Sequence, residues 1–263
     1  MTMASMHEFR IGEVIGKGFQ VLFRNLGAFA VISLLLTLPL LLFELITTNE
    51  MVALASLSSD QVQSVSPEQV REVLWRIFGY SFAAMAIQVV FSGIASGALT
   101  YGAVQDLRGR RAGFGECLGR GLALILPVIG VSIVAGFLAT LGALLFVIPG
   151  IILLLMWWVA VPATVIERPG IFASLKRSSV LTKGSRWRIL GMLLIVGVIS
   201  GLLTFAVEIL GIASTGLAFK TFLGWLVNAF VTALSAVLAA VSYYQLRVVK
   251  EGAEIDDIAR VFD

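Results

Sequence analysis

Residues 9–26 read FRIGEVIGKGFQVLFRNL, and this stretch indicates the fold of the whole chain. Wound as an α-helix, it places polar and charged side chains on one stripe and apolar side chains on the opposite face. Because a long apolar run begins at Ala28, we predict an interfacial amphipathic helix that lies in the headgroup layer and leads into a membrane span. A helix that packs on other protein and keeps its charged face in water is the alternative.

The composition is that of a polytopic membrane protein. Of 263 residues, 59% are hydrophobic and only 13% are charged, so one water-soluble core cannot hold the apolar groups. Because Cys117 is the one cysteine and His7 the one histidine, the chain offers neither an internal disulfide nor a His/Cys metal cluster. We predict an all-α membrane helix bundle, folded as a single membrane domain without metal or cofactor.

Apolar runs of membrane-spanning length predict six transmembrane helices. Residues 47–72 are polar and predict a loop on the far side of the membrane, and residues 245–263 predict a cytoplasmic tail. Pro39, Pro127 and Pro162 fall within predicted spans, where we expect kinks. The predicted bounds of the spans are residues 28–46, 77–104, 122–143, 147–166, 189–212 and 221–244.

The opening stretch recurs twice along the chain. Residues 12–18, GEVIGKG, match residues 115–121, GECLGRG, and residues 167–188 form a third basic amphipathic segment, ERPGIFASLKRSSVLTKGSRWR. A weak parallel internal repeat accounts for this pattern, since each of the three interfacial helices then leads into a pair of spans. Chance similarity in a glycine-rich membrane chain is the alternative.

Lysine and arginine divide sharply between the two sides of the membrane. With six spans, sixteen of these cations fall on the side of both termini, and only Arg71, Arg76 and Lys220 fall on the other. The positive-inside rule therefore predicts that both termini and the three amphipathic segments are cytoplasmic.

The cations next to the spans are predicted to contact lipid headgroups. Anionic lipid explains them better than nucleic acid, because apolar partners accompany the charges. We therefore expect membrane lipid, and no nucleic acid, as a partner. The predicted headgroup contacts are Arg10, Lys17, Arg24, Arg120, Lys176, Arg177, Lys183, Arg186 and Arg188.

Four polar residues lie within predicted spans: Glu44, Gln88, Glu208 and Asn228. A carboxylate in an apolar span often marks an ion or proton path. However, at about 1.5 Å per residue both glutamates come near the outer interface, where water reaches them, so both readings stay open.

Two glycine pairs have the GxxxG spacing, which predicts close packing of helices within the bundle. The pairs are Gly93 with Gly97, and Gly197 with Gly201.

Three stretches carry a resemblance to a known family. They are residues 12–27, GEVIGKGFQVLFRNLG, residues 148–191, IPGIILLLMWWVAVPATVIERPGIFASLKRSSVLTKGSRWRILG, and residues 243–252, YYQLRVVKEG. The Glu before the basic loop, the Arg-Ser within it and the Arg followed by Lys-Glu-Gly in the tail occur together and in order. The chain resembles the bacterial membrane family named for the membrane domain of glycerophosphoryl diester phosphodiesterase, with its YciC-like relatives.

The resemblance implies a helical protein of the bacterial inner membrane with no established activity. In some relatives such a region precedes a soluble phosphodiesterase domain, which we expect to be absent here. No set of carboxylates and histidines suits metal-dependent hydrolysis, and no Gly-Lys-Ser/Thr loop suits ATP.

The leading hypothesis is a non-enzymatic membrane protein that engages anionic lipid and organises the membrane or scaffolds a partner. A protein partner and a homo-oligomer both remain open. The alternative is a transporter or lipid-moving protein with a polar cavity between its helices. An enzyme acting on lipid headgroups is the least favoured.

Overall fold

The structure, a computed structural model, describes residues 9–60, 67–213 and 217–252. Over these ranges the chain forms ten α-helices and no strand, so the predicted all-α bundle is confirmed. The helices are α1 (Ile11–Arg24), α2 (Leu26–Asp60), α3 (Pro67–Leu107), α4 (Phe114–Ala123), α5 (Ile125–Leu145), α6 (Val147–Met156), α7 (Ala160–Glu167), α8 (Ile171–Thr182), α9 (Arg186–Ala213) and α10 (Leu217–Glu251).

Six helical segments are long and apolar enough to cross a membrane, as the hydropathy predicts. They make the protein a multi-pass integral membrane protein. Their bounds are Leu26–Thr47, Val70–Leu107, Ile125–Leu145, Val147–Glu167, Arg186–Gly211 and Ala218–Glu251.

The predicted loop over residues 47–72 is wrong for most of its length. Helix α2 continues to Asp60 and α3 begins at Pro67, while residues 61–66 lie outside the described part of the chain. Hydropathy marks where a helix leaves the bilayer, whereas the helix itself ends only where its backbone bonds end. The predicted tail begins in the same way as a continuation of α10, and its residues 253–263 lie outside the described ranges.

The fourth predicted span is divided, because α6 ends at Met156 and α7 begins at Ala160. Pro162 is the third residue of α7, a position in the first turn whose N–H has no partner within the helix, so proline removes no bond there. Pro127 likewise is the third residue of α5. The expected kinks at these two prolines are therefore replaced by helix starts, which tolerate proline. Pro39 differs, since α2 continues past it.

A single residue, Phe146, joins α5 to α6. The two helices can reverse so sharply because Gly150 has no side chain. A Cβ atom on Gly150 would lie 2.7 Å from the Cα atom of Ala143, closer than side-chain carbons approach. The apolar run from residue 122 to 166 therefore forms two crossings by turning over one residue.

The ten helices divide into three units of similar construction. Each unit has a short helix, a first span and a second span: α1, α2 and α3; then α4, α5 and the divided α6 and α7; then α8, α9 and α10. We call α1, α4 and α8 the collar helices, and the end of the bundle where they lie the collar end. Each collar helix packs on the second span of the preceding unit: α4 on α3, α8 on α7, and α1 on α10. The last contact closes the three units into a ring.

The second spans form the centre of the bundle. Helices α3, α7 and α10 contact one another, and their facing side chains are fully buried. The first spans lie outside them and present large apolar side chains outward, as Val198, Leu202 and Phe205 of α9 do. This is the arrangement expected where lipid covers the outer surface. The buried side chains at the centre include Leu99, Ala163, Leu234 and Leu238.

The apolar face of α1 packs on protein. The buried residues of α1 are Val14, Gly18, Val21 and Leu22. A Cβ atom on Gly18 would lie 2.5 Å from a methyl group of Leu238. The packing of the apolar face on protein, which the alternative arrangement for this segment includes, is therefore observed for α1.

Candidate functional site

A network of ion pairs joins three helices at the collar end. The Nε atom of Arg177 lies 2.9 Å from each carboxylate oxygen of Glu167, and its Nη1 atom lies 2.5 Å from Glu251. Arg247 lies 3.0 Å from the other oxygen of Glu251, and the Tyr243 hydroxyl donates to Glu167. Because Glu167 ends α7, Arg177 lies on α8 and Glu251 ends α10, the network ties these helix ends together.

The side chain of Arg177 makes its ion pairs within this network. Its side chain is 26% exposed. Burial lowers its pKa, but the hydrogen bonds to Glu251 and Glu167 outweigh that effect, and the net pKa is raised above the ordinary value. The guanidinium therefore stays charged and bridges two carboxylates, where the sequence predicts a contact with a lipid headgroup.

The carboxylate partners of Arg177 were not predicted as site residues. Glu167 and Glu251 lie 84 residues apart, so no local spacing relates them. A signal was nevertheless available. The Glu before the basic loop, the Arg-Ser within it and the Lys-Glu-Gly of the tail are the motifs on which the family resemblance rests, and the structure brings these positions together.

The α4 collar helix makes polar contacts with α3. The Tyr101 hydroxyl donates to Glu116 over 2.5 Å, and the guanidinium carbon of Arg120 lies 5.6 Å from the centre of the Tyr101 ring. Cation–π contact of this kind favours a charged group over an aromatic face. Tyr101 of the preceding unit thus contacts both charged residues of the GECLGRG motif, Glu116 and Arg120.

The α1 collar helix repeats these contacts on α10. Glu13 accepts a hydrogen bond of 3.3 Å from Gln245, and the Nζ atom of Lys17 lies 5.7 Å from the centre of the Tyr244 ring. In the matched motifs Glu13 corresponds to Glu116 and Lys17 to Arg120. The two copies therefore agree in the contacts they make as well as in sequence.

Two other predicted headgroup cations, Arg10 and Arg24, also lie near carboxylates of the protein. Arg10 lies 3.0 Å from Glu13, and Arg24 lies 3.5 Å from the buried Asp106. The Nε atom of Arg186 is buried and has no hydrogen-bond partner among the described residues. Arg188 is half-buried at the start of α9.

Lys176 and Lys183 are exposed, and exposed apolar side chains accompany them. Phe172 is 75% exposed and lies one helical turn before Lys176, while Trp187, at the start of α9, is 84% exposed. Aromatic rings and lysines gather in this way where a protein meets the interface of a bilayer. We call Phe172, Lys176, Val180, Lys183 and Trp187 the α8 patch.

Polar side chains also gather at the opposite end of the bundle. A groove of about 510 Å³ lies between α2, α9 and α10, and Glu44, Glu208 and Asn228 all line it. Lys220 lines it too, with its Nζ atom 2.6 Å from Glu208. Three of the four polar residues predicted from the spans thus lie at one site. Gln88, the fourth, is half-buried on α3 and does not line the groove.

The remaining wall of the groove is largely apolar. Leu40, Leu41 and Val207 contribute to it, as does Trp225. The indole Nε1 atom of Trp225 is buried and has no acceptor among the described residues. Lys220 and Trp225 were not predicted as site residues, because no local pattern in the sequence reveals a contact between two helices.

The two glycine pairs have different surroundings. A Cβ atom on Gly93 would lie 2.8 Å from Ile129 of α5, and one on Gly97 would lie 3.5 Å from Gly121 of α4. These glycines let neighbouring helices approach closely. Gly197 and Gly201 of α9 have open space where a Cβ would stand, so they pack on no other described helix.

Among residues 9–60, 67–213 and 217–252, no three His, Cys, Asp or Glu side chains gather as metal ligands would. His7 lies outside these ranges. Helices suited to crossing a membrane, an ion-pair network at one end and a polar groove at the other thus characterise the molecule. No family model, curated protein or solved structure matches the chain.

Proposed function

We propose that this protein is a non-enzymatic integral membrane protein that holds anionic lipid at its collar end and organises the membrane or scaffolds a partner there. The α8 patch carries the proposal. Lys176 and Lys183 are exposed, and so are Phe172, four residues before Lys176, and Trp187, four residues after Lys183. A phosphate group can approach such lysines while the rings enter the lipid interface.

The proposal includes a bacterial inner membrane with the collar end in the cytoplasm. The excess of lysine and arginine on the side of the termini supports this orientation. The family resemblance supports the bacterial membrane and the absence of catalysis, since it implies no established activity for the membrane region alone.

Orientation is tested by placing a cysteine at Lys183 in a Cys117→Ser background. We expect a membrane-impermeant maleimide to label this cysteine in inverted vesicles and not in intact spheroplasts. If the cysteine were labelled in spheroplasts and not in inverted vesicles, the collar end would lie on the opposite side of the membrane. That result would contradict the proposed role.

Lipid engagement is tested by thermal unfolding of the full chain in detergent micelles with added lipid. A ligand that binds only the folded state raises the unfolding midpoint. We expect phosphatidylglycerol to raise it more than phosphatidylcholine, and salt near 0.5 M to weaken the difference because the Debye length falls to about 4 Å. A Lys176→Gln/Lys183→Gln variant should lose at least about half of the difference.

Arg71 and Arg76 provide a matched control, because they are exposed cations near the start of α3. Arg71→Gln/Arg76→Gln removes the same charge and should leave the lipid difference unchanged. Equal stabilisation by both lipids, or equal losses in both double variants, would contradict lipid binding at the α8 patch.

A second function, moving a lipid or another molecule across the membrane, is supported by the groove between α2, α9 and α10. Translocation needs a polar path beyond a binding site. Proteoliposomes containing fluorescent lipid test it: faster dithionite quenching of inner-leaflet probe with the protein supports movement, and an unchanged rate removes this function.

A further inference from the structure

We propose that the start of α9 and the neighbouring end of α10 bind a phosphomonoester, which is the terminal phosphate of a lipid such as phosphatidic acid or of a soluble phosphate ester. The inference rests on the proposed function, because it names the anionic group that the collar end prefers. It adds Arg186 and Lys250, which lie outside the α8 patch. We call Lys183, Arg186 and Lys250 the α9 cluster.

The three cations of the α9 cluster meet at one turn. Lys183 follows the last residue of α8 and Arg186 is the first residue of α9, so only Gly184 and Ser185 separate them. A Cβ atom on Gly184 would lie 3.8 Å from the Nζ atom of Lys250. The ammonium at the end of α10 therefore lies against the connection between α8 and α9.

The charges of the α9 cluster are not balanced within the part of the chain that the structure describes. Neither an ion pair nor a side-chain hydrogen bond joins Lys183, Arg186 or Lys250 to another residue of these ranges. Glu251 follows Lys250 in the chain, but Arg177 and Arg247 already lie 2.5 Å and 3.0 Å from its two oxygens. Like charges that gather without a counter-charge repel one another, and a bound anion removes that repulsion.

Arg186 supplies a directed donor to such an anion. Its Nε atom is buried and has no acceptor among the described residues. A buried N–H without an acceptor costs free energy, which a bound oxygen recovers. Because no partner fixes the guanidinium, it can turn this edge towards a ligand, and its planar fork of N–H groups matches two oxygens of a phosphate.

The first turn of α9 adds donors to those of the three cations. The first N–H groups of a helix have no carbonyl partner within it, and the N–H of Ile189 bonds back to the carbonyl of Ser185. The peptide dipoles of this 28-residue helix also favour negative charge at its start. The helix start thus supports the site that the cations define.

The charge of the α9 cluster favours a phosphomonoester over a phosphodiester. A monoester carries up to about two negative charges near pH 7 and has three oxygens free to accept hydrogen bonds. A diester, such as phosphatidylglycerol, carries a single charge and has fewer free oxygens. Two ammonium groups and a guanidinium therefore interact more strongly with the monoester.

The α9 cluster also lies where lipid phosphates are found. Trp187, the neighbour of Arg186, is 84% exposed at the start of α9. Exposed tryptophan rings next to a membrane span lie at the level of the lipid head groups. A phosphatidic acid of that leaflet can reach the cluster without leaving the membrane.

Native mass spectrometry of the full chain, delipidated and then exposed to defined lipids, tests the inference. Phosphatidic acid and phosphatidylglycerol with the same acyl chains form a matched pair, because a glycerol group converts the phosphomonoester of the first into the diester of the second. We expect the wild-type protein to retain phosphatidic acid at least about fivefold more than phosphatidylglycerol. Equal retention of the two would overturn the inference.

Variants locate the site. Arg186→Gln/Lys250→Gln removes two cations outside the α8 patch and should abolish the preference for phosphatidic acid, and Lys250→Gln alone should reduce it. Arg110→Gln/Arg111→Gln removes the same charge from exposed positions before α4 and should leave the preference unchanged. Equal losses in the two double variants would overturn the inference. So would a preference that survives Arg186→Gln/Lys250→Gln in a protein with the wild-type unfolding midpoint.

Glycerophosphate, a phosphomonoester without acyl chains, separates the two sources of the ligand. If millimolar glycerophosphate displaces phosphatidic acid and glycerol does not, the phosphate group alone satisfies the site and a soluble phosphate ester is also a ligand. If glycerophosphate does not displace it, the acyl chains are required as well and the ligand is the lipid.

The inference and the proposed function can fail separately. Lys176→Gln changes the α8 patch alone and should lower the retention of phosphatidylglycerol relative to phosphatidylcholine, while phosphatidic acid stays preferred. If phosphatidylglycerol is retained more than phosphatidylcholine but as much as phosphatidic acid, the inference fails and the proposed function stands. If phosphatidic acid is preferred while the other two lipids are retained equally, the general binding of anionic lipid fails and the phosphomonoester site stands.

Discussion

Arg177 shows how far the surroundings of a residue can differ from its place in the sequence. It lies in the most basic loop of the chain, yet it contacts Glu167 and Glu251 and is only 26% exposed. Lys176, its neighbour, points outward. Adjacent positions on a helix are about 100° apart. Arg177 can therefore contact carboxylates within the bundle while Lys176 is exposed at its surface.

Substitution of Arg177 by glutamine should destabilise the folded protein. Glu167 and Glu251 would then lose a charged donor in a partly buried site, and we expect the free energy of unfolding to fall by about 1–3 kcal/mol. Thermal unfolding in detergent micelles measures the change. Arg76→Gln breaks the exposed pair with Glu72 and should cost under about 1 kcal/mol. Equal effects of the two substitutions would show that the network adds no more than a surface pair.

Cys117 is buried on α4, and its burial raises the pKa of the thiol to about 11, with the nearby charge of Glu116 adding to the rise. We expect almost no labelling by maleimide at about pH 8 until the protein unfolds, because the thiol is both protonated and covered. Labelling in the folded state at the rate of an exposed cysteine, such as Arg111→Cys in a Cys117→Ser background, would contradict this.

We also expect the Cys117 thiol to make the free energy of unfolding fall as the pH rises in the alkaline range. Its pKa is raised in the folded state, so the unfolded chain loses the proton first. The contribution of the thiol to stability is complete below the ordinary pKa and is lost as the pH rises towards about 11. Cys117→Ala should remove this part of the pH dependence in unfolding measurements.

Among the elements, the divided fourth span shows what sequence periodicity can and cannot predict. Hydropathy predicts a crossing there, and the structure has one. The break between Met156 and Ala160 escaped prediction because a proline inside an apolar run indicates a kink as readily as a new helix start. The outcome depends on whether another element satisfies the freed carbonyl groups.

Helix α8 satisfies one of those carbonyl groups. The Ser178 hydroxyl donates to the Met156 carbonyl over 2.7 Å, and the Thr182 hydroxyl lies 3.3 Å from the same oxygen. A backbone acceptor freed by the break thus bonds to side chains of a collar helix. The break and the collar helix stabilise each other.

Ser178→Ala should therefore cost more than a surface serine would. It leaves the Met156 carbonyl with the longer bond alone, and we expect a loss of about 1–2 kcal/mol in the free energy of unfolding. Ser179→Ala is the matched control, since that hydroxyl bonds only to the carbonyl of Lys176 in its own helix. If both variants unfold at the same midpoint, α8 does not support the break.

At the scale of the molecule, the three units close into a ring because α1 packs on α10. The repeat in the sequence indicates three units but not their order around a centre. That order depends on contacts between helices, such as Glu13 with Gln245, and these are distant in the sequence. The same limit applies to the groove, where Glu44, Glu208 and Asn228 were predicted singly and only the packing brings them to one site.

Gly18→Leu tests the closure of the ring. The new side chain would collide with Leu238 of α10, where even a Cβ atom would lie 2.5 Å away, whereas Gly16 of the same helix has open space. We expect Gly18→Leu to lower the free energy of unfolding by about 1–3 kcal/mol and to expose α1 to protease. Gly16→Leu should do neither. If α1 stayed resistant to protease in the Gly18→Leu variant, its close packing on α10 would not be needed to hold it in the bundle.

The closing contact also constrains biosynthesis. Glu13 and Gln245 are 232 positions apart. Helix α1 therefore leaves the ribosome long before the surface of α10 on which it packs has been translated. Contacts between such distant positions form late, and apolar surfaces that wait for them are prone to misassembly. The buried side of α1 must be covered during that interval by lipid or by a chaperone. Helix α1 can therefore reach its final position only after α10 has been made, and shortened chains lacking α10 should be degraded.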